Sequence, residues 1–82
     1  MSRSLNRVTL IGHVGSDPDV HLTSGGRKVA NFSLATNENW TDGDGKEHEE
    51  VTWHKCEAWG GHADVIETWV KKGQQLMVEG RI

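Results

Sequence analysis

The 82-residue chain has one cysteine, Cys56, and one proline, Pro18. A lone thiol excludes an internal disulfide framework and fits a reducing compartment. Long hydrophobic runs are lacking as well. No window approaches the roughly 18 apolar residues of a membrane span. The N-terminal stretch MSRSLNRV has no apolar h-region, which argues against a secretory signal. A positive excess is also missing: the formal charge is −3. No global field attracts nucleic acid or anionic lipid, so polyanion binding has to come from local placement of the nine Lys and Arg residues. Apolar residues make up only 34% of the chain. That is little for an unaided core of this size and implies a subunit partner or further chain. These features predict a soluble intracellular module with one domain over residues 1–82.

What is present reads as alternating strands. In Asn6–Val14, Val8 and Leu10 alternate with Arg7 and Thr9, the period of a half-buried strand. The pattern breaks at the turn Gly15-Ser16-Asp17-Pro18. After Gly25-Gly26, Lys28–Thr36 forms a second strand with Ala30, Phe32 and Leu34 on one face, continuing towards Trp40. Residues 41–50 are polar, acidic and glycine-containing, which suits a mobile loop without a core. Val51–Trp59 is a third strand. His62–Lys72 carries Ala63, Ile66, Trp69 and Val70 at helical spacing, with Asp64 and Glu67 early and Lys71 and Lys72 late. Gly73 then supplies a left-handed stop, so this segment predicts a helix with Trp69 in the core. A fourth strand runs from Gln75 to Glu79 or beyond. There is no internal repeat and no low-complexity tract. The order strand, strand, strand, helix, strand predicts an all-β OB-fold, a five-stranded Greek-key barrel whose helix plugs one end. No residues remain for the last strand, which leaves an exposed edge.

Strand parity sorts the most unusual stretch, WHKCEAW at 53–59. Trp53, Lys55, Glu57 and Trp59 project to one side, and Thr52, His54, Cys56 and Ala58 to the other. The second set suits a barrel interior or a subunit contact. Burying Lys55 and Glu57 would be costly, so the first face is wet. Its tryptophans stand about 20 Å apart along the strand. Single-stranded nucleic acid uses such a surface: bases stack on indoles while Lys and Arg follow the phosphates. Trp40 can add a third platform. The same tryptophans also fit packing in a core or a protein interface, because exposed apolar patches mark interaction of either kind. Lys55, between the aromatics, has the clearest functional position. Arg3 on the N-terminal arm, Arg27 and Lys28 after a turn, and Lys71 and Lys72 ending the helix serve equally well as capping or solubility charges. Glu57 has no evident purpose beside a polyanion.

Other chemistries fit less well. His54, Cys56 and His62 lack the C-x-x-C or H-x-x-x-H pairing of a structural zinc site, so no metal is assigned. No base is placed to activate Cys56 as a nucleophile. Asp42, Asp44, Glu47, Glu49 and Glu50 read as solvated charges rather than a magnesium cluster. Neither Gly25-Gly26 nor Gly60-Gly61 fits a phosphate loop. No catalytic residue and no cofactor is assigned, and the chain reads as a binding protein, not an enzyme.

The chain resembles the N-terminal part of bacterial single-stranded DNA-binding proteins. The pieces that carry the likeness are N-x-V-x-L-x-G-x-x-G-x-D-P at 6–18, VANFSLAT at 29–36, TWH at 52–54, the K-K-G that ends the helix and the V-E-G that follows. This resemblance implies an OB-fold that assembles as a homotetramer and holds single-stranded DNA without sequence specificity. The expected setting is replication, recombination and repair in the bacterial cytoplasm, at the nucleoid. It implies base stacking on Trp40, Trp53 and Trp59, backbone contacts from Arg3, Lys55, Lys71 and Lys72, and a subunit interface at Asn6, Val8 and His54. It also implies recruitment of replication and repair proteins by an acidic tail that these residues do not include. The hairpin beyond Ile82 with its stacking tryptophan, and the fifth strand, are absent as well. Gly43 and Gly61 stand where relatives often carry lysine. A second reading, a protein-interaction OB-fold like the primosomal relatives, would use the same aromatic face for another protein.

Overall fold

Alternation makes the first strand. In the computed structural model, which describes residues 3–82, β1 spans Val8–Val14. Val8, Leu10, Gly12 and Val14 turn inwards, while Thr9, Ile11 and His13 stay exposed. There follow β2 (Asp19–Leu22), β3 (Lys28–Thr41), β4 (Glu47–Trp59), the helix α1 (Gly61–Trp69) and β5 (Gln75–Gly80). The predicted order holds with one addition. β2 is a four-residue strand in which only Val20 is half-buried, too little for an alternating pattern to register.

β3 is the spine of the sheet, and every pairing is antiparallel. β4 lies along one edge of β3, from Val29↔Trp59 to Thr41↔Glu47. On the other edge β2 pairs from Asp19↔Asn31 to Leu22↔Lys28, and β1 joins at His13↔Ala35 and Val14↔Leu34. β1 then diverges to pair β5, from Val8↔Gly80 to His13↔Gln75. Among the described residues β4 and β5 do not pair, so the sheet is open, as the sequence order implied. The gap between them is a cleft of about 1130 Å³ with Val8, Leu10, Phe32, Cys56 and Val78 in its walls. The core is small: Val14, Leu34 and Val70 are buried together, with Leu10, Cys56, Ile66, Leu76 and Val78 packed around them.

Two expectations need correction. The segment expected to be a loop at 41–50 is mostly strand, because β3 runs to Thr41 and β4 starts at Glu47. Only residues 42–46 turn. The long register of β4 against β3 supplies the backbone pairing that the polar composition does not advertise. The helix is also shorter than expected, and Trp69 is not in the core but 69% exposed. Ala63 is buried and Ile66 half-buried, but the helix ends at Trp69, and Val70 has extended backbone (φ −92°, ψ 128°). It is therefore the extended Val70, 5% exposed, that enters the core, and the preceding indole is left outside. Lys71 and Lys72 lie beyond the helix, and Gly73 (φ +85°) belongs to the turn closed by Gln74 N–H donating to Lys71 C=O at 3.2 Å. The helix face towards β3 is fastened by Lys28, whose Nζ is 2.8 Å from both Asp64 and Glu67. Hydrogen bonds to Asp64 and Glu67 hold its ammonium well above the ordinary lysine value.

Candidate functional site

Directly paired residues of antiparallel strands emerge on the same face. The pairs Val29↔Trp59, Asn31↔Glu57, Ser33↔Lys55 and Ala35↔Trp53 therefore lay one face of β4 beside Asn31, Ser33 and Ala35 of β3, with the buried Val29 under the Trp59 end. Trp53, Lys55, Glu57 and Trp59 are all exposed, Trp53 to 60%. His54, Cys56 and Ala58, of the other parity, are half-buried. His54 Nε2 lies 2.9 Å from Thr36 Oγ1. Burial pushes the Cys56 thiol up, the reverse of what a nucleophile or metal ligand requires. Among the described residues no group of three or more His, Cys, Asp or Glu could hold a metal ion.

Trp59 is held from two directions. Its Nε1–H donates to Glu57 Oε1 at 2.7 Å, which is possible because residues two apart on a strand share a face. The guanidinium carbon of Arg27 stands 4.8 Å from the Trp59 ring centroid, within cation–π range. Arg27 is brought there by the β2–β3 turn, where Thr23 N–H donates to Arg27 C=O at 2.8 Å and Arg27 N–H donates to Thr23 Oγ1 at 3.2 Å. Glu57, unexplained in the sequence, thus orients an indole. In the sequence Arg27 follows a turn, where a functional role and a solubility charge fit equally well. Its contact with a residue 32 positions away becomes visible only through the β3–β4 register.

The other end of the strip is built from β1 and the segment after the helix. A Cβ on Gly15 would come within 2.3 Å of Trp53 Cζ3, so the Trp53 indole lies against the Gly15 backbone. Two residues on, Asp17 Oδ1 accepts from Lys72 N–H at 2.9 Å, and Gly73 N–H donates to Val14 C=O at 2.7 Å. These bonds bring Lys71 and Lys72 to the Trp53 end. Among the described residues Lys28 is the only Lys or Arg in an ion pair. Lys55 on the strip, and Lys71 and Lys72 in the segment bonded to Val14 and Asp17, are in no ion pair among the described residues.

Trp40 is set apart. It pairs with His48, and its parity is that of Phe32 and Leu34, not of Trp53. Out on the hairpin arm both faces are solvated, and Trp40 is 48% exposed. Its ring stacks on His48, with centroids 5.3 Å apart and planes at 16°. His48 Nε2 lies 2.7 Å from Asp42 Oδ2, while Asp42 Oδ1 accepts from the N–H groups of Asp44 and Lys46, each at 2.9 Å. Gly45 (φ +78°) supplies the left-handed residue the turn needs. The bond from His48, then those from the Lys46 and Asp44 amides, lower the Asp42 carboxyl below its ordinary value. A carboxyl depressed in the folded state stabilises this turn above its unfolded-state value, about 3.9, and loses that contribution as pH falls through the folded value. Acidification below about pH 4 should therefore unprotect the Asp44 and Lys46 amides in hydrogen exchange while core amides stay protected. Tip and core amides losing protection together would refute it.

Of the remaining predicted positions, Arg3 is exposed. Asn6 exchanges hydrogen bonds with the Ile82 backbone, its Oδ1 accepting from Ile82 N–H at 3.1 Å. Val8 and His54 both line the open cleft between β4 and β5. No helix among the described residues is long and apolar enough to cross a membrane.

Comparison with known proteins agrees over nearly the whole chain. Residues 5–82 match the model of the Single-strand binding protein family. The chain is 46% identical over 82 residues to Single-stranded DNA-binding protein 1 of Chlorobaculum tepidum, covering all of this chain and 51% of that protein. It is 42% identical over 84 residues to the Single-stranded DNA-binding protein of Rhizobium meliloti, covering 48% of it. The chain thus spans about half the length of these relatives. The solved Plasmodium falciparum SSB complex with ssDNA superposes with a TM-score of 0.92 at 38% identity, over 99% of this chain and 73% of that one. A deletion mutant of the single-stranded DNA binding protein from Thermus aquaticus gives 0.86 at 37% identity, over 99% of this chain and 40% of that one.

Proposed function

Because the chain belongs to the single-strand binding protein family, we propose that it binds single-stranded DNA without sequence preference, by stacking bases on tryptophans and contacting phosphates with Lys and Arg. The family is one of binding proteins, not of enzymes. The observation that carries the reading is the exposed Trp53–Lys55–Trp59 strip on one face of β4, whose Lys55 is in no ion pair among the described residues. Stacking needs no particular base, since every base has a π-face, and each stacked base contributes roughly 1–3 kcal/mol. Trp53 and Trp59 are the stacking platforms of β4, and Trp40 is a separate one on the arm. Lys55, Lys71, Lys72 and Arg3 are the phosphate contacts. Residues 1–82 act as one OB-fold unit.

The rest of the reading concerns assembly and setting. Copies associate through the β1 side, with Asn6, Val8 and His54 at the contact, as a homotetramer. In support, Asn6 is exposed and Val8 and His54 line the open cleft, and the opposite face of β1 and β5 leaves the paired Ile11 and Met77 59% exposed or more, a further apolar surface for a copy to cover. The role is protection of single strands during replication, recombination and repair in the bacterial cytoplasm, at the nucleoid, together with the proteins of those processes. A thymine homopolymer titrated into the protein should quench tryptophan fluorescence at low salt, and added salt should reverse the quench. No quench, or one indifferent to salt, would sink the reading. Mass measured with and without the oligonucleotide tests the assembly.

A further inference from the structure

We infer that Arg27 is a displaceable occupant of the Trp59 stacking platform: it covers the indole in the free protein and moves to a backbone phosphate when a base takes its place. The inference rests on the proposed binding of single-stranded DNA and adds a step to it. Its starting point is that Trp59 is not an empty platform. A guanidinium is flat and cationic, and at 4.8 Å from the ring centroid it occupies ground that a stacking base would need. Glu57 fixes the indole from its Nε1 edge at 2.7 Å, so the ring cannot easily swing away to offer a fresh face. Trp59 is the less exposed of the two strip tryptophans, at 36% against 60% for Trp53, over whose ring no cation lies among the described residues. Arg27 makes no ion pair among the described residues. Its backbone is anchored by the Thr23 turn while its long side chain is not, so only χ rotations are needed to release it. Nucleic acid supplies both replacement partners at once. A base replaces the guanidinium over the indole, and the adjoining phosphate receives the guanidinium, with which it can form paired hydrogen bonds.

Arg27→Ala and Arg27→Lys, in protein labelled with 5-fluorotryptophan, test the exchange. The four tryptophan resonances allow Trp59 to be assigned through Trp59→Phe. In the free protein, Arg27→Ala should shift the Trp59 resonance and leave that of Trp40 in place. Binding of a thymine oligonucleotide should persist in both variants. The slope of log affinity against log salt should become shallower by about 0.7 in Arg27→Ala, one single-strand phosphate contact, and return to the parent value in Arg27→Lys. An unchanged slope in Arg27→Ala, or an unmoved Trp59 resonance in the free protein, overturns the exchange while the binding reading stands. Failure of the parent protein to bind the oligonucleotide would remove the binding reading itself, so the two failures are told apart.

Discussion

Trp53→Ala weakens binding of a thymine oligonucleotide about fivefold to 150-fold, while thermal stability stays close to the parent's. The size follows from one lost base stack, roughly 1–3 kcal/mol. The preserved fold follows from placement: Trp53 is 60% exposed and takes no part in the core around Leu34. Trp53→Phe keeps an aromatic face and should recover most of the affinity. Gly15→Ala offers an independent approach to the same indole. Its new Cβ would reach within 2.3 Å of Cζ3, so it should displace the ring and weaken binding without removing any group that touches DNA. Anisotropy of a labelled oligonucleotide at fixed salt, read beside melting curves, checks all three variants. A less than twofold loss in Trp53→Ala would mean that β4 presents its tryptophans to something other than bases.

The strip was legible because β-strand geometry is local. Parity alone separated Trp53, Lys55, Glu57 and Trp59 from His54 and Cys56, and the cost of burying Lys55 and Glu57 chose the wet face. The OB-type order was legible for the same reason, since β1, the first part of β3 and the second part of β4 each carry their own local pattern. What sequence could not supply were properties of pairing. Trp40 falls on the other face of the ribbon because β3 and β4 pair without a bulge from Val29 to Thr41, and nothing near Trp40 records that count. The Arg27–Trp59 contact needs the same register plus the turn at Thr23. Glu57 differs, because its partner Trp59 is only two residues away on the same face and the pair is legible in the strand itself. Trp69 failed for a different reason. Apolar spacing continued smoothly through Val70, and no local signal marks Val70 as the residue whose backbone turns extended.

Gly12→Ala should cost on the order of 3 kcal/mol of stability, at the upper end of what overpacking causes. For a domain of this size that is a fall in melting temperature of roughly 12–24 °C. The cause is space rather than backbone angle, since Gly12 is not among the glycines with positive φ. A Cβ there would lie 2.2 Å from the Ala35 carbonyl oxygen and 2.9 Å from its carbon. Backbone cannot swing aside as a side chain can. The contact falls where β1 leaves β3 for β5, one residue from the His13↔Ala35 pair and directly opposite Leu76. Gly43→Ala is the control: a Cβ there meets nothing within 4 Å, and the melting temperature should hardly move. A Gly12→Ala melt within about 2 °C of the parent would show that β1 and β3 do not cross so closely. The crossing also bears on binding. It fixes the height at which Gly15 passes beneath Trp53, so below its lowered melting temperature Gly12→Ala should still bind the oligonucleotide more weakly, although residue 12 faces the interior.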